Sequence, residues 1–182
     1  DSIVEYLAVD IHDRAITTMP MSYSYGLSII NTHLSQGASL ILNNYSIVEE
    51  DFWSLMRSYH PTTFGGVPYF YKMLDRFKLH GLGVSSLRYL THAGGRLNLE
   101  LTKSLIHLCE NDSIAFYSMY GQAEACPRMS YLPWNNASSK LGSIGVPIPG
   151  GRFWLEDQAG ATISTDNVVG QIVYQGDNVC LG

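Results

Sequence analysis

Cysteine is scarce in this 182-residue sequence: three residues, at 109, 126 and 180, are odd in number, far apart and without Cys-x-x-Cys spacing. That argues against a disulfide framework and against a zinc site, and it makes a reducing cytoplasm the expected compartment. Charge is also sparse. Charged residues make up 15% of the chain, the formal net charge is -5, and Lys and Arg form no cluster, so there is no electrostatic footprint for nucleic acid or an anionic membrane. No apolar run approaches the roughly 18 residues that a membrane span needs. The start, Asp1-Ser2-Ile3-Val4-Glu5, has neither the basic region of a signal peptide nor an initiating Met, so the sequence is expected to begin inside a longer chain. A Gly-x-Ser-x-Gly elbow and a Gly-x-x-x-x-Gly-Lys-Ser/Thr loop are both missing, which removes the main residues of serine hydrolase and P-loop readings. The six histidines, at 12, 33, 60, 80, 92 and 107, lack metal-ligand spacing and are expected at the surface or as caps. His92, beside Gly94-Gly95, is the exception that can line a pocket.

What is present is apolar. Hydrophobic residues make up 46% of the chain, which rules out disorder, supports a core, and leaves a surface suited to contacting more protein or a ligand. Ser2 to Val9 reads as the tail of a helix, and Ala15 to Met19 as a strand held extended before Pro20. Tyr25 to Gln36 has helix spacing at Leu27, Ile30 and Leu34, with Gly37 as its stop. Ala38 to Leu42 is a short buried strand. Ser46 and Glu49 form a capping box for a helix running to Tyr59, with Phe52, Leu55, Met56 and Tyr59 inward. Thr62 to Phe64 is a third strand, ending on Gly65-Gly66, and Pro68 opens a helix through about Phe77. Leu87 to Thr91 is a fourth, ending at Ala93-Gly94-Gly95-Arg96, after which Asn98 caps a helix to Glu110. Ser113 to Tyr117 is the fifth.

Five short apolar strands alternating with helices predict an α/β fold over residues 1–133, a parallel, doubly wound sheet with flanking helices. Three of the strands end in glycine turns that must converge on one edge, where glycine lets backbone approach a ligand closely. After Tyr131 prolines and glycines replace the helical runs. Arg152 to Glu156 and Gln171 to Gln175 read as hairpin strands, so residues 134–182 are expected to start an antiparallel β subdomain that is left incomplete. Its open edges would favour self-association.

The chemistry gathers in Tyr117-Ser118-Met119-Tyr120-Gly121-Gln122-Ala123-Glu124-Ala125, where a strand meets a glycine turn that carries a carboxylate. Ligands in open α/β sheets bind outside the carboxyl ends of the strands. A lone acid there is either a holder of Mg2+ or a solvated loop carboxylate. The aromatic residues Tyr23, Tyr25, Tyr69, Phe70 and Tyr71 are either core packing or, for Tyr23 and Tyr25 beside Gly26, a pocket wall.

At these residues the sequence resembles the adenylate-forming superfamily, the acyl-CoA synthetases and acid ligases, through nearly its whole length. Pro20-Met21-Ser22-Tyr23-Ser24-Tyr25-Gly26-Leu27 is similar to the segment whose aromatic residue gates the acyl pocket. Leu87 to Leu97, with His92, Gly94, Gly95 and Arg96, is similar to the glycine loop against which adenine lies. Tyr120-Gly121-Gln122-Ala123-Glu124 resembles the Tyr-Gly-x-Thr-Glu signature, which implies that Tyr120 packs on adenine and Glu124 helps hold Mg2+. Gly142 to Gly150 and Gly170 to Gly176 follow in the family's order. Two positions depart from the pattern. Ala123 lacks the threonine hydroxyl that contacts phosphate, and Ser118 stands where many relatives have Asn or Gln near the adenine amine.

The resemblance implies a central piece of a ligase that activates a small-molecule carboxylic acid with ATP and Mg2+ to an acyl-AMP, with coenzyme A as acceptor. Its partners would be an upstream phosphate loop, a downstream ribose-binding aspartate and a lysine-bearing domain, all in the remainder of the parent chain. The site so implied comprises Glu124 as catalytic and Mg2+-holding residue, Gly94, Gly95, Arg96, Ser118, Met119, Tyr120, Gly121, Gln122 and Ala123 toward the nucleotide, and Tyr23, Tyr25, Gly26 and His92 toward the acid. The piece alone is expected to be inactive. A non-catalytic nucleotide- or partner-binding α/β module is the alternative.

Overall fold

The computed structural model describes residues 2–76 and 84–181. Helices α1 (Ser2–Leu7), α2 (Ser24–Ser35), α3 (Glu50–Tyr59), α4 (Pro68–Arg76) and α5 (Leu99–Asn111) alternate with strands β1 (Arg14–Ile16), β2 (Ser39–Ile41), β3 (Thr63–Gly66), β4 (Tyr89–His92) and β5 (Ala115–Tyr120). Strands β6 (Ser130–Tyr131), β7 (Val146–Pro147), β8 (Arg152–Glu156) and β9 (Gln171–Gln175) follow. The main sheet runs β2-β1-β3-β4-β5-β6-β7. Its first five strands are mutually parallel and β6 and β7 add antiparallel, while β8 and β9 form a separate antiparallel pair.

Successive side chains on a strand point to opposite faces, and the core follows that rule. Ile16, Phe64, Leu90 and Phe116 join Phe52 and Met56 of α3, Tyr71 and Leu74 of α4, and Leu105, Ile106 and Cys109 of α5. Their neighbours Ala15, Tyr89, Ala115 and Tyr117 face the other layer, with Ile3 and Leu7 of α1 and Tyr25 and Ile29 of α2. The sheet is therefore covered on both faces, as a parallel sheet requires. At the amino ends of the strands, buried Asp13 accepts from Arg88 Nη2 at 2.6 Å and Nε at 3.0 Å and from Thr62 Oγ1 at 2.6 Å, linking β1 to β3 and β4.

Several expectations change in the folded chain. The buried face of α2 is Tyr25, Ile29, Thr32 and His33, whereas Leu27 and Leu34 are exposed, because the helix turns its more polar face to the sheet. His33 is a core residue, with Nδ1 2.8 Å from the Ile29 carbonyl and Nε2 3.4 Å from Tyr89 Oη. Only half of the expected capping box exists. Ser46 N–H donates to Glu49 Oε1 at 2.6 Å, but this closes a turn ahead of α3, and the residue flanking that helix is Glu49 itself. Phe52 and Met56 are buried as expected, and Tyr59 is exposed. Strand β1 ends at Ile16, short of Met19, and β5 runs on to Tyr120. Strands β6 and β7 were not foreseen, being too short for alternation to register, and β7 joins the main sheet although it lies beyond residue 133. The expected helix end at Phe77, and His80, lie outside the described residues.

Candidate functional site

Strands β3, β4 and β5 are parallel neighbours, so Gly65-Gly66, Ala93-Gly94-Gly95 and Gly121 arrive at the same carboxyl edge. Two of these glycines are required by the backbone. Gly94 has φ +80°, a conformation that side-chain-bearing residues rarely adopt, and a Cβ there would stand 2.8 Å from Tyr23 Oη. At Gly121 a Cβ would collide with the Pro127 carbonyl, because the chain doubles back there against Pro127 and Arg128.

A cavity of about 560 Å³ opens at this edge, within the usual range for small-molecule sites. His92, Gly94, Gly95 and Arg96 from the end of β4, and Ser118, Met119, Tyr120 and Gly121 from the end of β5, line it. Eight of the expected site residues thus converge although about twenty positions separate the two stretches. Gly142, Ser143 and Ile144 close another side, as the order of glycine motifs had hinted without assigning them a role. Leu97, Thr102, Ile106, Phe116, Leu132 and Ala137 also line the cavity. They carry no functional signal in the sequence, since an apolar pocket wall and a core residue are the same residue types.

The remaining expected residues lie elsewhere. Gln122, Ala123 and Glu124 are exposed on the turn after β5, a 3-10 turn over Ala123–Ala125, and do not line the cavity. Glu124 is exposed, and its backbone carbonyl accepts from Cys180 N–H at 2.8 Å. Tyr25 is 1% exposed and donates to Thr91 Oγ1 at 2.6 Å, so of the two readings left open it is core. Gly26 is buried against the Pro20 carbonyl, where no side chain fits. Tyr23 is 38% exposed and its hydroxyl stands against the Gly94 turn, but it does not line the cavity. Tyr71 belongs to the core, with its hydroxyl donating to the Thr91 carbonyl at 2.8 Å.

His92 is the one expected residue with an unmet valence. It is 2% exposed, its ring is stacked on Phe116 with 16° between planes, and its Nδ1 lies 3.5 Å from Ser118 Oγ. Its Nε2 is buried without a partner. Burial holds its pKa down to about 4, so the ring is neutral at pH 7. Among the described residues no group of three or more His, Cys, Asp or Glu could hold a metal alone. Glu124 is a single exposed carboxylate, a donor set that suits Mg2+, which needs only one or two carboxylates when phosphates and water supply the rest.

Among the described residues no helix is long and apolar enough to cross a membrane. Curated relatives include the 2-succinylbenzoate–CoA ligase of Enterococcus faecalis, 23% identical over 178 residues, which cover 98% of this chain and 36% of the relative. The 2-succinylbenzoate–CoA ligase of Bacillus pumilus is 27% identical over 172 residues, covering 93% of this chain and 33% of the relative. Among solved structures, the O-succinylbenzoate coenzyme A synthetase MenE of Bacillus subtilis, in complex with ATP and magnesium ion, superposes with a TM-score of 0.85 at 22% identity, over 100% of this chain and 36% of that one. A long-chain-fatty-acid–CoA ligase of Archaeoglobus fulgidus superposes with a TM-score of 0.84 at 18% identity, over 100% and 37%. The chain therefore spans about a third of the length of the curated relatives it matches. The model of the family described as AMP-binding enzyme matches residues 2–182, and the chain belongs to that family.

Proposed function

We propose that this chain is the nucleotide- and acid-binding portion of a longer ligase that activates a carboxylic acid with ATP, forming an acyl-adenylate, and passes the acyl group to coenzyme A. The carrying observation is the cavity at the carboxyl ends of β4 and β5, which the two family-like stretches line together. Membership of the AMP-binding family and likeness to 2-succinylbenzoate–CoA ligases support a nucleotide substrate and a thiol acceptor. Working as part of a longer protein and in the cytoplasm are parts of the same reading, as is a division of the chain near residue 133.

In this reading the Gly94-Gly95-Arg96 turn and Tyr120 hold the adenosine, with Ser118 and Met119 on the same wall. His92, neutral, forms part of the wall on the side of the acid, and Tyr23, against the Gly94 turn, stands where a longer acyl chain would pass. Glu124 would hold Mg2+, which supplies neutralisation of charge on the phosphates. The protein's work is positioning and a preset electrostatic environment, without a covalent nucleophile. Gln122 and Ala123, exposed on the same turn as Glu124, belong to the nucleotide side of the site in this reading.

The test is acid-dependent exchange of labelled pyrophosphate into ATP by the longer parent. Glu124→Gln should lower exchange by about 10²-fold or more, the scale for loss of a preorganised electrostatic group, with the unfolding midpoint unchanged because the carboxylate is exposed. Near-normal exchange would remove Glu124 from the site.

A further inference from the structure

Cys126 and Cys180 are far apart in the sequence, both exposed, and brought together by the fold. Cys126 follows the 3-10 turn Ala123–Ala125 that carries Glu124, and its N–H donates to the Ala123 carbonyl at 3.2 Å. The segment around Cys180 is fastened to that turn on both sides of Cys126. Cys180 N–H donates to the Glu124 carbonyl at 2.8 Å, and Asn178 Nδ2 donates to the carbonyls of Ala125 at 2.6 Å and Arg128 at 3.0 Å. The two thiols lie close enough to act on each other: burial, and after it the Cys180 sulfur, push the Cys126 thiol up. Cys109, the remaining cysteine, is buried in the core and takes no part.

We propose that Cys126 and Cys180 form a thiol pair that a low-molecular-weight disulfide, such as oxidised glutathione, closes to a protein disulfide, pinning the Glu124 turn to residues 176–180. Closure takes two thiol–disulfide exchanges. The thiolate of one cysteine attacks a sulfur of the small disulfide, forming a mixed disulfide and expelling one thiolate. The thiolate of the other cysteine then attacks the protein sulfur of that mixed disulfide, forming the Cys126–Cys180 bond and expelling the second. The protein loses two electrons and two protons, and the reagent leaves as two thiols. Thiolates are the attacking species, so closure quickens as pH rises. An exposed disulfide is of the reversible kind, open in a reducing compartment and closed under oxidising conditions. What closure does to catalysis rests on the function proposed above. Glu124 is exposed and does not line the cavity, so its turn has to shift for the carboxylate to reach phosphates held there, and the disulfide opposes that shift.

The test treats the longer parent with oxidised or reduced glutathione at about pH 8, where thiolates are plentiful, and maps its disulfides by mass spectrometry without reduction. The expected product is a Cys126–Cys180 linkage that dithiothreitol opens, with an unfolding midpoint roughly 3–8 °C above that of the reduced form for a closed loop of about 50 residues. Cys126→Ser and Cys180→Ser, both at exposed positions, should fold, lose the linkage and carry one glutathione on the remaining cysteine, with no such rise. Glutathione on both cysteines of the wild type without a bond between them, or a bond from either to another cysteine, overturns the proposal. Pyrophosphate exchange by the oxidised parent should fall by about threefold or more and return with dithiothreitol, in the wild type and in neither serine variant. A linkage that leaves exchange unchanged overturns the effect on the turn. Normal exchange by Glu124→Gln overturns the proposed function instead, and the disulfide map then decides the thiol pair by itself.

Discussion

At the scale of single residues the site is built from departures. Ala123 offers no hydroxyl where the family resemblance places a phosphate donor, and its exposure on the turn means that a larger side chain meets open space. Ala123→Thr in the parent should leave pyrophosphate exchange unchanged or raise it, by up to about tenfold for a charge-assisted hydrogen bond of roughly 1.5 kcal/mol. A loss of exchange with an intact unfolding midpoint would favour the non-catalytic binding module. His92 makes a separate prediction about pH. Its folded pKa of about 4 lies below the unfolded value of about 6.5, so the fold favours the neutral ring. The stability this represents is fully present above about 6.5 and is lost as pH falls from there toward 4, by about 3 kcal/mol in all. Urea unfolding at pH 7 and 4.5 should show that loss in the wild type, and His92→Gln should shrink it by about 2 kcal/mol. His33, also held down by burial, contributes a loss of the same sign that remains in the variant.

At the scale of elements, α5 matters because Thr102 and Ile106 form a wall of the sheet-edge cavity. Its start was legible in the sequence. Asn98 Oδ1 accepts from Glu100 N–H at 2.8 Å and from Leu101 N–H at 3.4 Å. Asn98→Ala should cost about 1 kcal/mol and lower the melting midpoint by about 2–4 °C, readable by calorimetry, while leaving nucleotide affinity within about twofold. Helix α2 shows the opposite case. Its apolar spacing identified a helix, yet the residues that supplied the spacing, Leu27 and Leu34, are the ones left exposed. Periodicity reports that a helix has faces, whereas the choice of which face to bury falls to the partners, and here the sheet offers Thr91 to Tyr25 and Tyr89 to His33. The same logic explains Ser46 and Glu49, read as a capping box for α3, of which only the Ser46 N–H to Glu49 Oε1 half forms, and that one turn ahead of the helix.

At the scale of the whole molecule, the chain covers about a third of the relatives it matches, and the sheet-edge cavity offers no cation other than Arg96 to a triphosphate. The 182-residue chain by itself should therefore bind ATP only in the millimolar range or more weakly, about -4 kcal/mol or less favourable, and should give no acid-dependent pyrophosphate exchange above a Glu124→Gln control. Calorimetry with ATP and Mg2+ and the exchange assay check both halves, and measurable exchange would make it an enzyme in its own right. The sequence alone determined the alternation of strands and helices, the glycine stops at Gly94-Gly95 and Gly121, the Asn98 cap and the resemblance to the family, whereas Gly65-Gly66, read as a stop, are paired residues of β3. What the sequence determined rests on short-range chemistry: side-chain period, backbone freedom at glycine and hydrogen bonds reaching three residues. Only the tertiary structure decided that Tyr25 is core while Tyr23 is partly exposed against the Gly94 turn, that Glu124 is exposed, that Phe116 and Leu132 line a cavity, and that Arg128 is buried without a counter-charge among the described residues. Those outcomes depend on which surfaces meet across distances of tens of residues, where burial and pairing are fixed by packing, and packing leaves no local mark in the order of the amino acids.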